Sequence, residues 1–234
     1  TTVSFIDSLV AGTSDAVSVV LDGAKAATLS VAGTSAGGFE TVNVTALAGK
    51  SAVGTLESNF TANSGTKTIN IDGAGSVKLS NIAATVTTIN ASANTGGADV
   101  HIDAGTALDV TFTGGSGDDQ LRMEDTLTTL DKLDGGAGRD TIHVTNGAAL
   151  VDGLQVTNFE LLDVAAATAG PYNMSKLAGI DTLVVSNSTA GAVTVNNLAK
   201  GAKVVLGGEN TAADVSTGLF LDHRGGLGAA LSGS

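Results

Sequence analysis

Two short segments of the chain carry glycine and aspartate in the same order. Both follow the pattern Gly-Gly-x-Gly-x-Asp-x-(Leu or Ile)-x, the first over Gly114–Arg122 and the second over Gly135–His143. Glycine permits backbone conformations that turn several carbonyl oxygens toward one point, and the aspartate adds a carboxylate. A hard cation such as Ca²⁺ needs about six to eight oxygen ligands of these kinds. The pattern therefore predicts a Ca²⁺ site shared by two stacked turns.

The spacing of the two copies constrains how they can stack. They begin 21 residues apart, whereas two contiguous nine-residue units would return to the same edge after roughly 18 residues. Residues 123–134 contain no third Gly-Gly turn, which predicts a small insertion in the second rung and a single complete site. A further Gly-Gly pair at Gly207–Glu209 lacks the rest of the pattern. The alternative is a pair of Gly-Asp turns between strands, with no ion.

The composition excludes several classes of protein. The 234 residues carry a net charge of -12 with a pI near 4.3, so the surface repels phosphates and argues against nucleic-acid binding. No apolar run reaches the roughly 18 residues of a membrane-spanning helix. Cysteine is absent, which excludes disulfide scaffolds, thiolate zinc sites and cysteine nucleophiles.

Short β-rich runs separated by Gly, Asn, Asp, Ser and Thr fill the chain, a pattern typical of strands and tight turns. Two stretches, Leu127–Leu133 and Asn173–Leu177, have apolar spacing that suits one or two short helical turns. The predicted strands are Val17–Leu21, Thr28–Val31, Thr41–Thr45, Lys67–Ile71, Val77–Leu79, Thr87–Ala91, Val100–Ile102, Leu108–Thr113, Thr141–Val144, Glu160–Val164, Thr182–Ser186, Val193–Val195 and Lys203–Leu206.

The strands resemble one another. One set comprises Thr41-Val-Asn43, Thr68-Ile-Asn70 and Thr88-Ile-Asn90. A second set comprises Phe39–Val44, Phe159–Val164 and Ile180–Val185. A period that drifts near 20 residues favours an all-β parallel β-solenoid, or β-helix, in which each rung buries its apolar face on the next; a β-sandwich is the alternative. We expect one solenoid domain over residues 1–216 and an irregular tail over 217–234.

The two nine-residue segments resemble the calcium-binding repeats of RTX proteins. The surroundings, Gly-Gly-Phe39-Glu-Thr-Val and Thr-Asn-Phe159-Glu-Leu-Leu among rungs rich in Ala, Thr, Gly and Val, are similar to the lattice-forming domain of a Gram-negative surface-layer (S-layer) protein. The compositional likeness covers most of the chain, and the specific motif covers about residues 110–145. The resemblance implies a short RTX-type calcium β-roll within the solenoid.

The resemblance also implies a ligand set. Carbonyl groups and the aspartate of one turn combine with those of the next, which assigns Ca²⁺ to Gly114, Ser116, Asp119, Gly136, Gly138 and Asp140. The spacing leaves Asp118 and Asp134 as substitutes. Asp72 and Asp103, each at the exit of a strand, are additional candidates, and their alternative interpretation is an Asx-turn.

The function that the resemblance implies is structural. We expect a calcium-binding domain of an extracellular S-layer protein, with Ca²⁺ driving folding and lattice assembly. The expected partners are copies of the chain and a cell-surface component, with no nucleic acid and no membrane-spanning segment. The sequence begins at Thr1 without a basic and apolar leader, which indicates a fragment or a protein exported without a removable signal. The family implies type I secretion through a C-terminal signal that is not evident here.

Two other functions stay open: an RTX adhesin module, and a calcium β-roll attached to a secreted enzyme. No catalytic motif favours an enzyme in this chain. Ser35 lies in Gly-x-Ser-x-Gly, but a strand-like run follows it where a nucleophile elbow requires a helix. The three histidines do not have zinc-protease spacing, and His143 is expected to be a solvent-facing strand residue. The sequence thus predicts a protein that is not an enzyme.

Overall fold

A computed structural model shows a stack of short strands. It describes residues 2–5, 12–26, 29–33, 38–47, 50–53, 56–58, 65–82, 85–102, 109–165, 171–187, 193–206, 219–223 and 226–231. Within these residues there are 23 strands and no α-helix, and the helical elements are two single 3₁₀ turns, Gly147–Ala149 and Met174–Lys176. The all-β prediction is confirmed, and each of the thirteen predicted strands overlaps an observed one.

Two large sheets and two small ones contain the strands. The seven-stranded sheet contains β2 (Ala16–Leu21), β5 (Thr41–Ala46), β8 (Thr68–Gly73), β10 (Thr88–Asn94), β12 (Thr111–Thr113), β14 (Lys132–Asp134) and β16 (Gln155–Thr157). The nine-stranded sheet contains β3 (Lys25–Ala26), β6 (Lys50–Val53), β9 (Ser76–Ile82), β11 (Ala98–Ile102), β13 (Gln120–Glu124), β15 (Thr141–Val144), β17 (Leu161–Ala165), β19 (Thr182–Asn187) and β21 (Lys203–Leu206). The small sheets contain β1 (Thr2–Phe5), β4 (Leu29–Gly33) and β7 (Leu56–Ser58), and β18 (Tyr172–Asn173), β20 (Thr194–Asn196), β22 (Leu219–His223) and β23 (Gly226–Leu231).

Successive strands alternate between the two large sheets, so that each rung contributes one strand to each sheet. The chain passes from β8 to β9, then from β10 to β11, and so on, so that each strand pairs with its counterpart in the rungs before and after it. The pairs are parallel, apart from β22 with β23. This is a parallel β-solenoid of about seven turns, as predicted. The β-sandwich alternative is excluded, because a sandwich is built of antiparallel sheets.

The sequence repeats set the register. Thr41, Thr68, Thr88 and Thr111 are direct neighbours across the seven-stranded sheet. The residue after each of them points inward, and Val42, Ile69, Ile89 and Phe112 form a buried ladder that Leu133 continues on the next strand. Side chains alternate between the two faces of a strand, so the Thr-x-Asn repeat encodes one apolar and two outward positions in each rung.

A second ladder fills the core from the opposite sheet. It consists of Leu79, Val100, Leu121, Ile142, Leu162 and Leu183, all of them with no exposed surface. Each such side chain stabilises the fold by about 1.5–3 kcal/mol when it is removed from water. The buried residues form one hydrophobic cluster that continues from Leu21 to Val195, so the rungs share a single core along this length.

Two local predictions differ from the structure. The helical interpretation of Leu127–Leu133 is wrong, because a turn at 129–130 leads directly into β14. Asn173–Leu177 does contain one 3₁₀ turn. The expectation of an irregular stretch over 217–234 does not hold for β22 and β23, in which Leu219, Phe220 and Leu221 pair with a Gly-Ala-Ala-Leu segment. Gly207–Glu209 lies outside the described residues.

Candidate metal centre

The two Gly-Asp turns lie one above the other. They connect β12 to β13 and β14 to β15, and the strands on both sides pair at a constant offset of 21 residues. Each turn therefore starts and ends in register with the other. The predicted insertion in the second rung is not seen, because strands of the nine-stranded sheet pair at offsets of 20 or 21 residues on both sides of these turns. Gly114–Asp119 and Gly135–Asp140 form what we call the aspartate corner.

The glycines allow the turns of the aspartate corner to approach closely. A Cβ atom on Gly114 would lie 1.8 Å from the Gly135 carbonyl oxygen, and one on Gly138 would lie 2.4 Å from the Gly117 oxygen. Gly136 has φ +93° and would place a Cβ 2.4 Å from the Gly115 oxygen. A side chain at any of these positions would push the turns apart, so the glycines of the motif have a packing role as well as a conformational one.

The carbonyl groups of the aspartate corner divide into two sets. Gly115 O accepts a hydrogen bond from Ala137 N at 2.9 Å, which joins the two turns. The carbonyl groups predicted as ligands accept none from the described residues; these are those of Gly114, Ser116, Gly136 and Gly138. Gly114 is buried and Gly136 is half-buried, whereas Ser116 and Gly138 are exposed, and a buried carbonyl oxygen normally has a partner. This second set is therefore open to a cation or to water.

Asp119 is buried with 1% of its surface exposed. Its Oδ1 accepts a hydrogen bond from Ala98 N of the preceding rung at 2.6 Å, and its Oδ2 accepts one from Gly115 N at 2.6 Å. Burial raises the pKa of Asp119 above its usual value, although the two backbone hydrogen bonds oppose the shift. The carboxylate thus supports the turn while its negative charge is poorly solvated.

Asp140, with no exposed surface, occupies the equivalent position one rung later. Its Oδ1 accepts a hydrogen bond from Asp119 N at 2.7 Å, and its Oδ2 is buried without a donor among the described residues. Burial raises the pKa of Asp140 to about 7, and the charges of Asp119, Glu160 and Asp118 act in the same direction. A buried carboxylate oxygen without a partner is costly, and a cation is one way to satisfy it.

The positively charged side chain of Arg139 does not neutralise the charge of Asp140. Arg139 lies within the second turn, but its guanidinium donates to Asp181 at 2.8 Å and to Thr182 at 2.6 Å on the outside of the solenoid. Glu160 instead adds a negative charge, because its Oε2 accepts a hydrogen bond from Asp140 N at 2.9 Å. The aspartate corner consequently combines oxygen ligands with uncompensated negative charge.

The remaining predicted residues lie around the aspartate corner or away from it. Asp118 is exposed, and its Oδ1 accepts a hydrogen bond from Arg139 N at 2.9 Å. Asp134 accepts hydrogen bonds from Gly136 N at 3.0 Å and from Asn158 Nδ2 at 2.8 Å, so it supports the second turn from its entrance. Asp72 is exposed on β8, two rungs away. Asp103 lies outside the described residues.

The aspartate corner offers two buried carboxylates rather than a cluster of acidic side chains. No group of three His, Cys, Asp or Glu side chains in the described part of the chain is arranged to hold a metal ion. The other ligands of a cation here would have to be the carbonyl oxygens. This composition suits a hard cation that accepts carbonyl ligands and does not suit a soft transition metal.

Asn94 is a buried residue of this edge that sequence reasoning missed. It lies 21 residues before Gly115, in the turn Asn94–Gly97 that precedes the aspartate corner in the stack. Its Nδ2 donates to the carbonyl oxygens of Gly75 at 3.0 Å, Gly73 at 3.1 Å and Asp72 at 3.4 Å. The signal that could have identified it is the 21-residue period continued one turn backward, followed by Gly-Gly.

His143 is buried, with 6% of its surface exposed, so the prediction of a solvent-facing side chain is wrong. Its Nδ1 lies 3.0 Å from Asp163 Oδ2, and its Nε2 lies 3.5 Å from Glu124 Oε2. Glu124 has φ +50° at an irregularity in β13 and also lies 3.3 Å from His101 Nε2. Carboxylates on neighbouring strands therefore cover the imidazole.

Ser35 lies outside the described residues. The segment that follows it contains β5, a strand, whereas a nucleophile elbow would be followed by a helix. Among the described residues, no helix has the length and apolar character needed to cross a membrane.

Comparisons with known proteins do not identify a family. No protein-family model, curated protein or solved structure matches the chain. The resemblance to RTX and S-layer proteins therefore remains a prediction from the residues quoted above. The structure itself shows the β-solenoid and the geometry of the aspartate corner.

Proposed function

We propose that the chain is a structural calcium-binding domain of an extracellular S-layer protein, in which Ca²⁺ at the aspartate corner drives folding and lattice assembly. The observation that supports this most directly is Asp140 Oδ2, which is buried at a stacked Gly-Asp turn without a hydrogen-bond donor among the described residues. The chemistry of the surrounding oxygens agrees with a hard cation.

The residues of the aspartate corner fit a calcium ion. Asp119 and Asp140 would supply carboxylate oxygens, and Gly114, Ser116, Gly136 and Gly138 would supply carbonyl oxygens that accept no hydrogen bond from the described residues. A bound ion would add the positive charge that Arg139, turned toward Asp181, does not provide. The role of the ion is to hold two rungs at a fixed distance.

Because Ca²⁺ would bind only the folded state, its binding would raise the free energy of unfolding. A ligand at a hundredfold excess over its Kd stabilises the folded state by about 2.7 kcal/mol. Calcium modules of extracellular proteins typically bind at roughly 10⁻⁴–10⁻³ M. Such a domain would stay loosely folded where Ca²⁺ is scarce and become rigid after export, which suits a cysteine-free chain in a type I secretion pathway.

A structural role fits the architecture better than catalysis. The continuous core and the parallel ladders make a rigid rod whose outer faces repeat from rung to rung. Repeating surfaces of this kind suit contacts with further copies of the chain and with a component of the cell surface. We therefore propose localisation at the cell surface and no enzymatic activity.

The test of the calcium site is thermal unfolding in Ca²⁺, in Mg²⁺ and in chelator, together with counting of bound ions. We expect about 10 mM Ca²⁺, a hundredfold excess over a Kd of about 10⁻⁴ M, to raise the Tm by about 5–10 °C, the shift that corresponds to about 2.7 kcal/mol in a chain of this size. Asp140→Asn keeps an oxygen for Asp119 N but removes the charge, so it should abolish the shift. Asp152→Asn, at an exposed carboxylate that is not a candidate ligand, is the matched control and should keep it.

Two outcomes would contradict the proposal. One is equal Tm values in Ca²⁺ and chelator with no ion bound. The other is a full-length protein that stays as discrete particles in electron micrographs both with Ca²⁺ and with chelator, which would remove the lattice role while leaving the calcium site.

A further inference from the structure

The Thr-x-Asn repeats are not used by the aspartate corner, and they form the outer face of β5, β8 and β10 in the seven-stranded sheet. Two rows run across the strands at constant register, and both alternate with the buried ladder. The threonine row is Ala16, Thr41, Thr68, Thr88, Thr111, Lys132 and Gln155. The asparagine row is Ser18, Asn43, Asn70, Asn90, Thr113, Asp134 and Thr157.

The two rows form a regular array of hydrogen-bonding groups. Neighbouring strands lie about 4.8 Å apart, and residues two apart in one strand lie about 6.8 Å apart. Within the asparagine row, Asn70 Nδ2 donates to Asn43 Oδ1 at 2.8 Å, so these two side chains hold one another in place. The residues of both rows are half-buried or exposed, so their outward atoms are available to a second surface.

Charge distinguishes this face from the protein as a whole. On β5, β8, β10 and β12 the two rows contain only Thr and Asn, although the chain has a net charge of -12. Two acidic molecules repel one another over most orientations. A neutral hydrogen-bonding face is where two copies can approach at the smallest electrostatic cost.

We propose that this face contacts a second copy of the chain about a two-fold axis parallel to the solenoid axis. This inference rests on the proposed lattice function and names one of its contacts. With the axis above the buried ladder, every residue of the threonine row faces the asparagine-row residue of the same rung. Thr68 then lies opposite Asn70 of the second copy, and Thr88 lies opposite Asn90. Hydroxyl and amide groups each donate and accept, so the pairs are complementary.

The charged rung of the face selects this orientation. On β14 the threonine row contains Lys132 and the asparagine row contains Asp134. The proposed axis places Lys132 opposite Asp134 of the second copy, and this happens twice by symmetry. A two-fold axis parallel to the strands, centred between β8 and β10, would instead place Lys132 opposite Ala16. Charge complementarity therefore favours the axis along the solenoid.

The area of the face indicates how strong the contact is. Seven strands with three residues each cover about 30 Å by 10 Å, or roughly 300 Å² per copy, whereas a stable interface buries about 800 Å² per partner. The contact is thus too small for a permanent dimer. It suits a weak contact that is repeated many times in an array, where multiplicity supplies the strength.

Paired charge variants test the register of the contact. Thr88→Lys with Asn90→Lys places like charges opposite one another across the axis, whereas Thr88→Lys with Asn90→Asp places opposite charges there. We expect sedimentation equilibrium in Ca²⁺ to show weak reversible association of the wild-type chain. The Lys/Lys variant should associate at least about tenfold more weakly, and the Lys/Asp variant should stay within about threefold of the wild type.

Each other outcome overturns the inference. It is wrong if the wild type stays monomeric at the highest concentrations, if both variants associate as the wild type does, or if both lose association equally. Thermal unfolding and ion counting on the same samples show that the variants are folded and whether they bind Ca²⁺. Arrays that form normally from the Lys/Lys variant would refute this contact and leave the lattice function, whereas failure to bind Ca²⁺ would refute the calcium function alone.

Discussion

Two neighbouring turns at the same edge of the solenoid differ in the side chain that meets the backbone carbonyl groups. In the turn Asn94–Gly97 and in the aspartate corner, the backbone returns between the same two sheets, and carbonyl groups of stacked turns converge. In the first turn, the Asn94 amide donates to three carbonyl oxygens of the turn before it in the stack. Ala98 then stands where the aspartate corner has Asp119, one rung later.

The difference shows what the aspartates add. An amide nitrogen supplies donors without a charge, so Asn94 satisfies the three carbonyl groups that it contacts without a cation. The aspartate corner has open carbonyl groups and a buried carboxylate oxygen without a donor, so its hydrogen-bonding requirement is met from outside the chain. One turn is therefore expected to be indifferent to calcium, and the other is expected to depend on it.

The largest expected effect comes from loss of the close approach at the aspartate corner. Gly136→Ala should destabilise the fold by about 3 kcal/mol or more, because the new Cβ would meet the Gly115 oxygen at 2.4 Å at a positive φ. Gly153→Ala is the matched control, since Gly153 has φ +92° and open space, with the nearest atom at 3.8 Å. It should cost about 1 kcal/mol. Denaturant unfolding of both variants measures the difference, and equal losses would refute the packing argument.

The next effect tests the asparagine turn. Asn94→Ala removes the donors of three carbonyl oxygens and should cost about 2 kcal/mol. The loss should be the same in Ca²⁺ and in chelator, because nothing at this turn is expected to bind the ion. Asn90→Ala, at an exposed position on the same strand, should change stability little. A loss at Asn94 that Ca²⁺ restores would show that both turns use the ion.

A further effect concerns pH in the absence of calcium. The folded protein holds the Asp140 proton with a pKa of about 7, above the value of about 3.9 in an unfolded chain. The folded state therefore binds the proton more tightly, and this contribution to stability is full below about pH 4 and is lost as the pH rises toward 7. Asp119, whose pKa is also raised, acts in the same direction.

The measurement is the Tm in chelator across this pH range for the wild type and Asp140→Asn. The difference between the two proteins isolates Asp140 from carboxylates such as Asp181, whose pKa is lowered by its hydrogen bond from Arg139. We expect the wild type to lose stability relative to the variant as the pH rises. A wild type that gains stability relative to the variant over this range would contradict the raised pKa.

Repetition is the part of the fold that the sequence predicts well. The Thr-x-Asn copies align in the structure as neighbours, because each places one apolar side chain inward and two polar ones outward. The Gly-Asp motif likewise identifies two turns that do lie in register. In both cases the information is local and occurs more than once.

Features that depend on a different rung could not be predicted. Leu127, Leu130 and Leu133 have helical spacing, yet Leu130 is 62% exposed and Leu133 lies in a strand. The deciding contact is Asp131, whose carboxylate accepts hydrogen bonds from Val110 N and Thr128 N at 2.7 Å each. The roles of Asn94 and His143 are similar, because each depends on groups about 20 residues away that only the fold brings near.

Three side-chain hydrogen bonds that link successive rungs at the aspartate corner run in the same direction. Asp119 receives the Ala98 amide, Asp140 receives the Asp119 amide, and Glu160 receives the Asp140 amide. In these three contacts, a backbone amide of one rung donates to a carboxylate of the rung that follows it in the polypeptide. Shortening the protein from its carboxyl end would expose an unmet donor at the new final winding, whereas shortening it from the amino end would leave a carboxylate that water can solvate.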